Sequence, residues 1–79
     1  MDMAHLKFLV ENNANLVLSY DEKNYQKLSK LAEFCYERGV TLTLKVSVND
    51  FKKSPSNIKS HLADIASKGH KFVTIDISE

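Results

Sequence analysis

Apolar positions recur along this chain with two periods, and the switches between them mark its elements. From Tyr25 the apolar residues Leu28, Leu31, Ala32 and Cys35 follow at helical spacing, with Phe34 and Tyr36 widening the stripe. Lys23, Lys27, Lys30, Glu33 and Glu37 fall on the other faces, so the spacing predicts an amphipathic helix over about 21–38. Ser19 and Glu22 are spaced as a capping box, with Asp21 as a second N-cap candidate. Gly39 is placed to stop the helix in the left-handed conformation. From Thr41 the period changes to two. Leu42, Leu44, Val46 and Val48 point one way, and Thr41, Thr43, Lys45 and Ser47 point the other. Strict alternation predicts a strand with one buried and one open face, because strands covered by helices on both sides are apolar throughout.

The flanking segments follow the same logic. Leu6, Phe8 and Val10 alternate, which suits a strand over residues 5–10, while Leu6, Leu9 and Val10 also suit a short helix; the strand is the reading taken. Glu11 to Asn15 is then a turn, and Leu16–Ser19 a short strand, hairpin-paired with residues 5–10 as one option. Asn49-Asp50 breaks the long strand, and 51–53 is a return strand or a loop. Ser54-Pro55 reads as N-cap and first helical position, and Ile58, Leu62, Ile65 and Ala66 form the stripe of a second helix ended by Gly69. A last strand runs from Phe72 to Ser78, with Phe72, Thr74, Asp76 and Ser78 on its outward side.

The expected fold is therefore α/β (α+β), a two-layer open-faced sandwich. Two helices cover one face of a three- or four-stranded sheet, in the order β(β)αβαβ or βαββαβ. The 79 residues form a single small α/β domain, 1–79. A net charge of +1 gives no general steering toward nucleic acid or membrane, and no apolar run is long enough to span a bilayer. No signal peptide is predicted at the N-terminus. A lone cysteine excludes an internal disulfide and suits a reducing compartment, so a cytoplasmic setting is expected.

Chemistry is sparse. His5, His61 and His70 stand nine or more residues apart, which is not ligand spacing, and no metal site is expected. Cys35 falls in the apolar stripe, where a thiol packs as a small hydrophobe. Both glycines are read as helix stops, so no phosphate-cradling loop remains. No catalytic residue, cofactor or metal is assigned; an enzyme would need a pocket gathering His61 with a carboxylate.

The segment Ser56-Asn57-Ile58-Lys59-Ser60, its helix and the final strand resemble the second half of HPr-type phosphocarriers, a Lys-Ser pair opening the second helix. That resemblance covers about a third of the chain and implies Ser60 as a regulatory phosphosite. The family's phosphorylated histidine, at the start of the first helix, meets Asp21-Glu22-Lys23-Asn24 here, and no C-terminal helix is predicted. The chain is therefore not assigned to that family.

Two surfaces remain. The open sheet face, with Thr43, Lys45, Phe72, Thr74 and Asp76, suits a non-enzymatic regulatory or adaptor protein that docks a protein partner, or a second copy of itself as a homodimer, on that face or on an edge strand. The alternative is a nucleic-acid-binding module built on Lys52, Lys53 and Lys59 at the start of the second helix.

Overall fold

A computed structural model describes residues 3–53 and 55–78, without the side chain of Ser78. The expectation that Ser54 caps the second long helix lies outside the described residues. The chain opens with a helix, α1 (Met3–Glu11), where a strand was expected. Met3, Leu6 and Val10 turn inward at spacings of three and four, and Val10 is fully buried. Phe8, which alternation would have buried, is 63% exposed. The close of α1 is a Schellman motif. Asn13 is left-handed at φ 66°, its N–H bonds to Val10 O at 2.9 Å, and the Ala14 N–H bonds to Leu9 O at 3.0 Å.

Strand β1 (Leu16–Ser19) has no hairpin partner in residues 5–10, since those are helical. It pairs instead in parallel with β2 (Leu42–Ser47), Leu16 opposite Leu42 and Ser19 opposite Lys45. Between them lies a 3-10 turn (Glu22–Asn24) and then α2 (Tyr25–Arg38). Asp21 alone caps this turn: its Oδ1 accepts from the Lys23 N–H at 3.0 Å, in place of the expected Ser19/Glu22 box. At the far end Gly39, with φ 72°, closes a second Schellman motif through Gly39 N–H to Tyr36 O and Val40 N–H to Cys35 O.

After β2 the chain enters a short helix, α3 (Val48–Lys53), where the strand was expected to reach Val48, break at Asn49-Asp50 and give way to a return strand or a loop at 51–53. The cause is a capping box: Ser47 Oγ accepts from the Asn49 N–H at 3.1 Å, and Asp50 Oδ2 accepts from the Ser47 N–H at 3.2 Å. Helix α4 (Pro55–Gly69) follows, then a 3-10 turn (His70–Phe72) and β3 (Val73–Ser78). Phe72 therefore sits in the turn and not in the strand, which corrects the expected strand start by one residue.

The sheet is three-stranded, in the order β1-β2-β3, and parallel throughout. Right-handed crossovers that advance the sheet in one direction put α2 and α4 on the same side. Their buried Leu28, Leu31, Ala32, Cys35, Ile58, Leu62 and Ile65 meet Leu42, Leu44 and Val46 in one core. Helix α1 docks on α2: Lys7 Nζ lies 5.2 Å from the centre of the Phe34 ring, and Arg38 Nη2 donates to Glu11 O at 2.7 Å. Among the described residues no helix is long and apolar enough to cross a membrane.

Candidate functional site

The face of the sheet opposite the helices is built by the strand register. Val17, Thr43 and Thr74 form one row across β1, β2 and β3, and Ser19, Lys45 and Asp76 form the next. Val17, Ser19, Lys45, Thr74 and Asp76 are exposed and Thr43 is half-buried, while the alternate residues of β2 are fully buried. Four of the five residues expected on this face, Thr43, Lys45, Thr74 and Asp76, are thus neighbours on it. The fifth, Phe72, is elsewhere. Its ring meets the Tyr36 ring edge-on at 5.9 Å, Tyr36 stacks obliquely on His70 at 4.5 Å, and Lys71 Nζ lies 5.6 Å from the Phe72 ring centre.

A second feature lies at the carboxyl ends of β1 and β2, where parallel α/β sheets commonly bind ligands. A crevice of about 600 Å³ is lined by Ser19, Tyr20, Asp21, Glu22, Asn24, Asp50, Lys53, Asn57 and Ile58. Its charge is mainly negative. Lys53, proposed from sequence for nucleic acid, faces three carboxylates here; Lys52 and Lys59 are exposed and do not line the crevice. Burial, followed by the nearby Glu22, Asp50 and Asp21, raises the pKa of the Tyr20 hydroxyl. Among the described residues no group of three or more His, Cys, Asp or Glu is gathered for a metal ion.

The third feature is a polar seam between α2 and α4. Asp64 Oδ2 accepts from Tyr25 Oη at 2.8 Å and from Ser29 Oγ at 2.9 Å. These two bonds, Tyr25 first, hold the Asp64 carboxyl below the usual carboxylate range, and the same bond raises Tyr25. His61 stacks flat on Tyr25, with ring centres 3.9 Å apart and planes within 7°, and shares a 2.8 Å hydrogen bond through Nδ1 with Tyr20 Oη. His61 lines neither the crevice above nor the groove of about 400 Å³ beside Tyr25, Ser29, Asp64 and Lys68. Its two contacts tie the β1–α2 connection to α4. No family model matches the chain, and neither a curated protein nor a solved structure does.

Tyr20 and Asp64 were not singled out for this seam by sequence reasoning. A partial signal exists for Asp64, since it lies two residues past Leu62 on the edge of the α4 stripe and Tyr25 and Ser29 share one side of α2. Nothing short of the helix packing pairs them. The Ser47–Asp50 capping box, by contrast, is a local signal written plainly in four consecutive residues.

Proposed function

We propose that this chain is a small protein-interaction module of the regulatory or adaptor kind, docking a protein partner on the open face of its sheet. One observation carries the reading. Parallel sheets are ordinarily covered on both faces, and here one face leaves Val17, Ser19, Lys45, Thr74 and Asp76 exposed. The bare face carries hydrogen-bonding and charged groups, Thr43, Lys45, Thr74 and Asp76 on β2 and β3, with the exposed Val17 at one side of them on the edge strand β1. That mixture suits a mainly polar partner surface with a small apolar patch at one side. Catalysis has no part in the reading, and the polar seam is used in it for packing α2 against α4. A cytoplasmic setting goes with the proposal, since Cys35 is a buried free thiol.

The test is capture of partners from source-cell lysate, with nuclease, comparing the native chain with Lys45→Glu and Thr74→Arg. A protein retained by the native chain and lost from both face variants, whose circular dichroism is unchanged, supports the reading. Phe72→Ala serves as the control, because Phe72 is off the face. Equal capture by both face variants rejects the open face as the docking surface. A catch that disappears with nuclease would instead favour nucleic acid.

A further inference from the structure

We propose that β3 is a dimerisation edge, pairing antiparallel with β3 of a second copy of this chain about a twofold axis at Ile75. The inference shares with the function proposed above only the idea that the sheet is the docking element; it concerns the edge and not the open face. Among the described residues β3 has one strand neighbour, β2. Across that pair the helix-side residues are in register, Leu42 with Val73, Leu44 with Ile75 and Val46 with Ile77. The three on β2 are fully buried. Their partners are not: Val73 and Ile75 are half-buried and Ile77 is 54% exposed. The apolar layer under the helices thus stops unfinished at this edge.

Edge strands are usually guarded by charged side chains, lysine above all, by proline or by a bulge. The run Val73-Thr74-Ile75-Asp76-Ile77 has one charge, Asp76 on its outward side, but no lysine, proline or bulge, and is rich in β-branched residues. What selects a second copy as the occupant is the strand's own symmetry. With Ile75 on the axis, Val73 lies opposite Ile77 of the second copy and Ile75 opposite itself. That joins the two unfinished apolar rows beneath the helices. On the other face Thr74 lies opposite Asp76 of the second copy, so the single acid of each strand never faces its twin directly. The β1 edge is shorter, four residues, and its helix-side Leu16 is already buried.

Sedimentation equilibrium over a rising concentration series tests this. The native chain should reach twice the 9.0 kDa of one chain. Ile77→Lys, at a half-exposed position that the monomer fold tolerates, should weaken the dimer about a hundredfold, since each dimer loses two apolar contacts. Lys45→Glu should leave the dimer intact even where it abolishes partner capture, which separates the failure of this inference from failure of the open-face reading. For register, Ile75→Cys should form a disulfide-linked dimer on mild oxidation, and Ile77→Cys should not; buried Cys35 does not compete. A monomer at every concentration overturns the proposal. So does a dimer that survives Ile77→Lys but dissociates in Lys45→Glu, which would move the contact to the open face.

Discussion

The two glycines look alike in sequence, each at the end of a helix, but the structure gives them opposite reasons to be there. Gly39 has φ 72° and no neighbour within 4 Å of where a Cβ would stand. Gly69 has φ −95° and ψ −11°, which any residue adopts, but a Cβ there would run into Val73 Cγ2 and stand 3.3 Å from Ala32 Cβ. Alanine at position 39 should therefore cost about 1–2 kcal/mol, the strain of an L-residue in left-handed backbone. Asparagine should recover much of that. At position 69 two effects compete. Alanine in place of glycine gains up to about 1 kcal/mol of helix propensity, less at a last helical position. Overpacking costs about 1–3 kcal/mol, and Val73 yields little because a β-branched side chain on a strand is stiff at χ1. The net is a loss of about 1–2 kcal/mol, or a Tm lower by about 4–8 °C for each kcal/mol in a domain this size. The deciding assay is a thermal or urea double-mutant cycle. Val73→Ala should remove most of the penalty of Gly69→Ala, leaving the tight contact with Ala32, and none of that of Gly39→Ala. If Gly69→Ala raises the Tm, or if its cost persists unchanged in the Val73→Ala background, the close-approach argument is wrong.

Other outcomes follow from the seam and the core. Asp64→Asn should lower the Tyr25 titration toward that of an ordinary tyrosine, read by ultraviolet absorbance, because the carboxylate is what holds it up. The native Asp64 carboxyl is held below its unfolded value, so its stabilisation is fully present above about pH 4 and is lost as the pH falls through the folded value. The urea midpoints of native chain and Asp64→Asn should accordingly converge in acid, and a gap that stays constant with pH would exclude the charge as its source. Burial pushes the Cys35 thiol up to about 11, so Ellman's reagent at pH 8 should react only as fast as the chain unfolds. Leu44→Ala, at the fully buried centre of the middle strand, should cost about 2–5 kcal/mol by urea unfolding.

The long-range parts of the fold were legible where one period was unopposed. Leu42 to Ser47 alternates without exception, and the open face follows from it. Helices α2 and α4 carry clean stripes and lie where the spacing put them. Residues 3–11 misled because Leu6, Phe8 and Val10 satisfy period two while Met3, Leu6 and Val10 satisfy the helical one. Six residues cannot separate the two, and what decides is the Schellman close at Asn13, a signal read only as a turn. Phe72 shares the parity of Thr74 and Asp76, which in sequence assigns it to the strand. The left-handed residue after α4, however, is His70 at φ 53° and not Gly69, and that turn absorbs Phe72 before the strand begins. The Asp64 seam was out of reach because its members are 35 to 39 residues apart and meet only through the packing of α2 on α4.

The open face is a consequence of topology before it is a feature of composition. Strand order β1-β2-β3 advances one way across the sheet, so successive right-handed crossovers deliver every connecting helix to one side. A fold with the order reversed at one strand would have covered both faces and required apolar residues at both parities. In β2 the polar parity holds Thr43, Lys45 and Ser47, so its alternation and the strand order are independent statements of the same one-sided cover. The edge obeys a different constraint. Helix α4 crosses back onto β3, but its cover thins from Val73 to Ile77, where the helix-side residue is half in solvent while Val46 beside it is fully buried. A polar face and an unfinished apolar edge are therefore two surfaces with different physics. The first is read through salt and charge reversal, the second through concentration and an inward-facing lysine. A single variant of each kind, Lys45→Glu and Ile77→Lys, tells them apart.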